Sequence, residues 1–476
     1  MLLRRFYDDR LAQASFLVGC QATGEAIVID PNRDAQQYLD AAREEKVRII
    51  MVTETHIHAD FLSGSRELAA LAGARLLLSK EGGADWQYAF AAAEGAKLIG
   101  EGSRFNVGNL AFEVWHTPGH TPEHLIFFVT DTPATDRPVG AFTGDFVFAG
   151  DVGRPDLLER AAHIAGTMET SARALFRSLR RFRALPDYLQ LWPGHGAGSA
   201  CGKALGAMPQ TTVGYERLAN WAFAIDDEEA FVHEVLAGQP EPPRYFAEMK
   251  RLNREGPAPL GGFREPPLVG TARFASLVDN HALIIDTRRA DLFAAGHIPG
   301  TISVPLNRSF STYAGSIIPF DRDFYLIVDD GTPGASGRAA RDLAMIGLDR
   351  ATGAIASGAL PTWAAAGHTL ATVPQLGVQD AAARAARGEI ALLDVRNRSE
   401  WNAGHPAGVP NIPLSELPER YAEVATGKPV AVLCQSGARS VVATSLLMAQ
   451  GGREVINVTG GFAEWARNGL PAETGA

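Results

Sequence analysis

The stretch Thr55-His56-Ile57-His58-Ala59-Asp60-Phe61 decides the reading of this chain, and its last residue carries as much as its histidines. The apolar run Val47 to Val52, broken by Arg48, predicts a buried strand that empties into this loop. Histidines two apart just past a strand can both aim at one metal, because the strand end fixes their backbone while the loop exposes their rings. Three further segments extend the pattern: His116-Thr117-Pro118-Gly119-His120-Thr121, Thr143-Gly144-Asp145 and Trp192-Pro193-Gly194-His195-Gly196. Each follows an apolar, β-rich run, and together they supply His, His, Asp and His. His116 and His124, which flank His120, are expected to be structural.

These four elements, in this order, resemble the metallo-β-lactamase superfamily, whose signature is HxHxDH, a GHT histidine, a GD aspartate and a late GH histidine. The resemblance covers roughly residues 1–250 and implies an αββα sandwich. Phe61 stands where binuclear zinc hydrolases of that superfamily carry a histidine of the second metal site. Without it, a second site keeps at best Asp60, His195 and a shared Asp145. A two-metal clamp needs both ions held about 3.5–4 Å apart. The chain reads as built for one metal.

Two histidines and one carboxylate suit non-haem Fe(II) and leave positions open for substrate and O₂. The branch of the superfamily with that chemistry, the persulfide dioxygenases, resembles glyoxalase II but holds one iron. The resemblance implies one Fe(II) per chain on His56, His120 and Asp145, with O₂ as co-substrate. It makes His58, Asp60 and His195 residues that orient ligands, water or substrate. Gly150 to Asp156 resembles the GxGR-type turn of that branch. Arg154 is therefore a candidate for holding substrate geometry, the alternative being an ion pair with Asp151 or Asp156. Cys201 lies in a glycine-rich loop six residues after His195. It either presents a thiol to the substrate or is a small buried cysteine. Cys20 is expected in the core.

The 476 residues exceed one core and suggest about three domains. The hydrophobic fraction of 46% and a mean hydropathy of −0.04 are those of an ordinary globular protein. Apolar runs such as Leu125 to Val129 fall far short of the ~20 residues of a membrane span. A net charge of −10 and the lack of a basic run disfavour nucleic acid. The three cysteines, Cys20, Cys201 and Cys434, are too few for a disulfide framework and point to a reducing compartment. With no apolar leader in Met1 to Arg10, a cytoplasmic location is expected.

Beyond a proline- and glycine-rich linker over 251–267, the chain repeats itself. Leu283-Ile284-Ile285-Asp286-Thr287-Arg288 matches Leu392-Leu393-Asp394-Val395-Arg396, aligned on aspartate and arginine. Gly296-His297-Ile298-Pro299-Gly300 matches Gly404-His405-Pro406-Ala407-Gly408, at identical spacing. Gly358 to Trp363 matches Gly461 to Trp465. Both units read as small α/β domains and resemble the rhodanese family, over 268–370 and 375–476. The second carries Cys434-Gln435-Ser436-Gly437-Ala438-Arg439-Ser440 between an apolar strand and a helix. Such a turn offers backbone N–H groups and a helix dipole to an anion, and Arg439 adds a full charge. It resembles the rhodanese active loop, with Cys434 as sulfur carrier and Arg439 as its electrostatic partner. Protein tyrosine phosphatases use a related cradle with five intervening residues; the four here suit a sulfur atom better than a phosphate. In the first unit, counting back from Gly347 and Gly451 sets Asp330 at the position of Cys434. That unit is expected to be catalytically inactive.

A chain carrying both parts resembles bacterial persulfide dioxygenase–sulfurtransferase fusions of sulfide detoxification. The resemblance implies oxidation of a low-molecular-weight persulfide, such as glutathione persulfide, to sulfite and thiol. Rhodanese transfer would then form or consume thiosulfate. Small sulfur compounds are the expected partners, with no nucleic acid and no membrane, and a homo-oligomer is expected. The main competitor is a glyoxalase II-like zinc thioester hydrolase with regulatory rhodanese domains. A third reading is a sulfur-relay scaffold with a structural metal. Metal identity separates them.

Overall fold

The computed structural model describes residues 1–160, 166–424, 427–452 and 454–475. It divides into two units, Met1–Gly262 with Met345–Gly347, and Phe263–Ala344 with Leu348–Ala476.

The first unit is built on two six-stranded sheets. One contains β1 (Leu2–Asp8), β2 (Gln13–Cys20), β3 (Glu25–Ile29), β4 (Arg48–Thr53), β5 (Arg75–Ser79) and β6 (Lys97–Ile99) in chain order. The other contains β7 (Arg104–Val107), β8 (Leu110–His116), β9 (Leu125–Asp131), β10 (Gly140–Gly144), β11 (Gln190–Pro193) and β12 (Thr211–Thr212), again in sequence along the sheet. Their inner faces share a dry cluster that includes Phe16, Ile27, Leu77, Phe112, Phe127, Phe142 and Trp192. Helices Ala35–Glu44 and Ser65–Ala72 cover the outside of the first sheet, burying Tyr38 and Leu68. Helices Met168–Phe182 and Glu228–Leu236 cover the second, burying Leu175, Phe182 and Phe231. This is the αββα sandwich. Each fully buried Phe or Leu contributes about 1.5–3 kcal/mol, so the four layers are held chiefly by these faces.

The expected linker begins later than composition suggested. Residues 251–255 belong to helix Phe246–Glu255, whose Met249 and Asn253 are buried. The prolines that break the chain start only at Pro257, so the helical pattern wins up to Glu255. No helix among the described residues is long and apolar enough to cross a membrane.

The second unit holds two parallel sheets of one design. β13 (Leu283–Asp286), β14 (Ile302–Ser303), β15 (Phe324–Val328) and β16 (Ala351–Ala356) run in the order β14-β13-β15-β16. After them come β17 (Gln375–Leu376), β18 (Ala391–Asp394), β19 (His405–Pro406), β20 (Val430–Leu433), β21 (Val455–Val458) and β22 (Ala472–Glu473). Their sheet order is β17-β21-β20-β18, with β19 paired to β22 outside it. The repeated motifs explain the likeness. Arg288 pairs with Asp286 and donates to the Gly296 carbonyl. Arg396 likewise pairs with Asp394 and donates to the Gly404 carbonyl. His297 and His405 each bond the carbonyl four residues back and stack on Phe293 and Trp401. These histidines hold turns.

The two loops after β15 and β20 differ in length. Thr287 N–H bonds the Ile327 carbonyl as Val395 N–H bonds that of Leu433, which makes Ile327 and Leu433 equivalent. Leu348 N–H bonds Leu343 as Gly452 N–H bonds Leu447, which makes Ala335 equivalent to Arg439. Eight residues therefore lead from Ile327 to Ala335, against six from Leu433 to Arg439. Counting back from the helix crosses this insertion and lands on Asp330, two residues too far. The strand register sets buried Val328, not Asp330, in the place of Cys434.

Candidate functional site

The metal-type ligands all lie at strand ends along one edge of the sandwich. Asp30, just past β3, adopts the left-handed region at φ 53°, which aspartate visits more readily than most residues. Its carboxylate accepts the Thr55 N–H at 2.6 Å and the Thr55 hydroxyl at 3.0 Å. Having donated its proton, the Thr55 oxygen accepts Nδ1–H of His56 at 2.9 Å. His120 Nδ1 donates to the Arg154 carbonyl and His195 Nδ1 to the Ala12 carbonyl, both at 2.9 Å. Ala12 holds a left-handed φ of 51° to present that oxygen.

With Nδ1 tied in each ring, the Nε2 atoms are left bare and face Asp145. They lie 3.9 Å (His56), 3.5 Å (His120) and 3.4 Å (His195) from its Oδ2. All four side chains are buried, and His56 Nε2 and both Asp145 oxygens lack a hydrogen-bond partner. Buried polar atoms are rarely left so. A cation would supply the missing partner, and the donor set of two imidazoles and a carboxylate fits one. Burial holds the His56 and His120 rings below the ordinary histidine range, so both present neutral, ligand-ready nitrogens. Ligand atoms of His56, His120 and Asp145 all lie within 4.8 Å of one another.

Asp60, His195 and Cys201 form a second such cluster, with His195 Nε2 3.1 Å from Asp60 Oδ2. Burial, reinforced by the Asp60 and Asp145 carboxylates, pushes the Cys201 thiol up to about 12. His58 points elsewhere. Its Nε2 faces Asp30 at 3.2 Å and its ring packs on Phe61 at 4.4 Å between centroids. Burial opposes protonation of His58, but the Asp30 carboxylate overcomes it and raises the ring to about 9. Arg154 is fully buried against Asp156, with contacts of 2.7 and 2.8 Å, and donates to the Ala200 carbonyl. Its side chain thus secures the Cys201 loop while its carbonyl orients His120. His124 accepts the Asp145 N–H at 3.1 Å, which sets that aspartate's backbone.

Sequence reasoning passed over several of these holders. Asn253, from helix Phe246–Glu255, donates to the carbonyls of His58 and Phe61 and accepts Ser63 N–H. Asp30 has no motif of its own, standing only between the apolar run Ala26 to Ile29 and Pro31. Tyr245 is buried near Asp60 and Cys201. None carries a local motif, since each acts across long sequence separations.

At the second site, Cys434 is buried at the end of β20, and its Sγ accepts Gly437 N–H at 3.1 Å. Ser440 Oγ lies 3.6 Å from the sulfur. Arg439 is held by both oxygens of Glu400 at 2.6 Å, a partner the motif reading missed. Arg396 also reaches Gln435, tying the D-x-R motif to the cysteine loop. Gly461, at φ 56°, lies so close that an added Cβ would stand 2.3 Å from the Cys434 carbonyl. In the first domain the corresponding loop is held by its two aspartates. Asp329 accepts from Gly331 N–H and the Thr332 hydroxyl, and Asp330 from the Ser357 hydroxyl.

The crystal structure of a metallo-β-lactamase from Staphylococcus aureus matches with a TM-score of 0.66 at 39% identity, covering 75% of this chain and 98% of that one. The chain belongs to the metallo-β-lactamase superfamily. The superfamily pattern itself matches residues 8–195, and the rhodanese-like domain pattern matches 271–366 and 377–468. Among superfamily members, the mitochondrial persulfide dioxygenase ETHE1 of Bos taurus is 29% identical over 200 residues, 41% of this chain and 68% of that one. A hydroxyacylglutathione hydrolase of Methylobacterium nodulans is 32% identical over 162 residues, 34% of this chain and 54% of that one. The protein is thus an enzyme in which a superfamily unit related to persulfide dioxygenases precedes two rhodanese-like domains.

Two substitutions test these supports. Asn253→Ala strands three buried backbone groups and should lower the calorimetric transition of the first unit by the equivalent of roughly 2–4 kcal/mol; an unmoved transition would show the stitch to be idle. Gly461→Ala should cut thiosulfate-to-cyanide sulfur transfer about tenfold through strain on the loop, with metal content unchanged.

Proposed function

We propose that the chain is a non-haem Fe(II) persulfide dioxygenase coupled to rhodanese sulfur transfer, acting in the removal of sulfide. The observation that carries this reading is the three-residue set His56, His120 and Asp145, with Phe61 filling the place of a further histidine. Persulfide dioxygenase relatives and a cysteine-bearing rhodanese loop in one chain support it. The overall oxidation takes RSSH, O₂ and H₂O to RSH, sulfite and two protons. One iron, when bound, supplies the redox chemistry and the open positions that O₂ chemistry requires. The protein's own work is orientation. Thr55, Arg154 and Ala12 fix the rings of His56, His120 and His195, while Phe61 and the surrounding core exclude water. Asp60, His195 and Cys201 border the substrate side.

Cys434 carries the sulfane sulfur as a persulfide. The sulfite lone pair attacks the outer sulfur, the S–S bond breaks, and thiosulfate leaves with the Cys434 thiolate restored. The thiolate is received by Gly437 N–H and Ser440, with Arg439 as the nearby cation. The same exchange runs backwards to load Cys434 from thiosulfate. Residues 375–476 form the catalytic rhodanese domain in this reading. Residues 268–370 form an inactive one, since Val328, Asp329 and Asp330 offer no thiol and no arginine ends the loop.

A second reading has one specific observation behind it. The cluster of Asp60, His195 and Cys201 could hold a second ion, as a zinc thioester hydrolase related to hydroxyacylglutathione hydrolases would require. Elemental analysis separates the two: one iron per chain supports the dioxygenase, whereas two zinc ions with thioester cleavage support the hydrolase.

O₂ uptake by the Fe(II)-loaded protein on adding glutathione persulfide, with sulfite or thiosulfate appearing, is the expected result; no uptake with iron bound would count against the reading. Cys434→Ser should abolish sulfur transfer and leave O₂ uptake with added persulfide, and loss of both would refute the division of labour. Asp330→Ala should leave sulfur transfer intact, and a large loss in a folded variant would return the first rhodanese domain to the chemistry.

A further inference from the structure

The first rhodanese-like domain has no sulfur carrier, yet it is built against the loop that has one. Val441, on the helix Ala438–Ala449 that follows Cys434, packs in one apolar cluster with Phe293 and Val373. Ser445, one turn on, accepts the N–H of Ser303 at the end of β14 at 2.9 Å. Tyr313, on the helix Phe310–Ile317 of the first domain, stands near the same loop. Burial raises its phenol above the ordinary tyrosine range, with Arg439, Cys434 and Glu400 among the charges that act on it.

Beside this seam lies a cavity of about 350 Å³. It sits beyond the carboxyl ends of β13 and β15, where open α/β sheets receive ligands, and its volume falls within the range of small-molecule sites. Arg288, Arg289, Arg338 and Asn307 of the first domain line it, and Ala438 of the second closes it. Ala438 is the residue between Gly437, which donates to the Cys434 sulfur, and Arg439. The arginines are not equivalent. Arg288 is taken up by Asp286 and Arg289 by Asp291. Arg338 donates to the Pro333 carbonyl at 2.6 Å and forms no ion pair among the described residues. Asp329, the other acid in the wall, is turned onto Gly331 N–H and the Thr332 hydroxyl. The longer loop after β15 borders the same cavity through Asp329 and Thr332.

We propose that this cavity is the docking site for the anionic tail of a low-molecular-weight thiol, held by Arg338 so that its sulfur reaches Cys434. The proposal rests on Cys434 being the sulfur carrier and assigns the inactive domain the binding of the carrier thiol. In the exchange, the docked thiolate attacks the outer sulfur of the Cys434 persulfide. A new S–S bond forms on the carrier, the old one breaks, and the Cys434 thiolate is released with total charge unchanged. The carrier leaves as a persulfide, the class of molecule that the iron site is proposed to oxidise.

The test compares two sulfur acceptors in the full-length protein loaded with thiosulfate: glutathione, which has carboxylate tails, and cyanide, which has none. For Arg338→Glu the ratio of kcat/KM for glutathione to that for cyanide should fall about tenfold, the weight of one charge-assisted contact. Arg338→Lys should recover part of it. The ratio is independent of the fraction of active protein, so partial misfolding does not imitate the effect. An unchanged ratio overturns the proposal. Failure of the unsubstituted protein to acquire sulfur on Cys434, read by mass spectrometry, would instead overturn the sulfur-carrier reading beneath it.

Discussion

The hydrogen bond from each ring's Nδ1 is the constraint on which the metal-type site depends. A histidine can direct either nitrogen at a cation, and the one it offers is decided by what holds the other. Here the holders are a hydroxyl and two carbonyls: Thr55, itself committed to Asp30, then Arg154 and Ala12. Two of these anchors, Asp30 and Ala12, are non-glycine residues in the left-handed region. Such backbone persists only where surrounding structure over-determines it. The first strands and the final histidine are therefore one mechanical unit, although they lie far apart in sequence.

Phe61 shows how a single residue redirects that unit. Packed against His58 with the two rings tilted, it fills the space with hydrocarbon, and His58 pairs with Asp30 rather than aiming at Asp145. The remaining donors divide into a tight imidazole–imidazole–carboxylate set and a neighbouring acid, histidine and thiol. Asp145 touches both sets through one oxygen. The geometry therefore sets two candidate ligand clusters side by side, bridged by the Asp145–His195 contact.

The two rhodanese-like domains show the same economy in reverse. Their shared motifs are structural: an aspartate–arginine pair that grips the turn after the first helix, and a histidine stacked on an aromatic ring. Those survive in both copies. The residues of the cysteine loop have no counterparts in the first copy: the cysteine, the loop arginine and the Glu400 that steadies it, in whose place stands Leu292. A longer loop stands there instead, with Asp329 accepting the Gly331 N–H and the Thr332 hydroxyl.

Motif order and spacing in the sequence determined the sandwich, the two repeats, the histidines and aspartate of the site, and the cysteine loop. Those signals are local, because strand ends and tight turns need particular residues at fixed offsets. Counting alone misplaced Asp330, since an insertion inside a loop leaves no mark on the residues counted from either side. Composition alone began the linker inside a helix. Only the tertiary structure decided that Arg154 serves by its carbonyl and a buried ion pair, that Asn253 stitches the His58 to Ser63 segment, and that Glu400 holds Arg439. Apart from the local Arg154–Asp156 pair, each is a single polar group satisfying partners elsewhere in the chain. Hydrogen bonding makes no demand on sequence distance, so such partners become visible only once the backbone has brought them together.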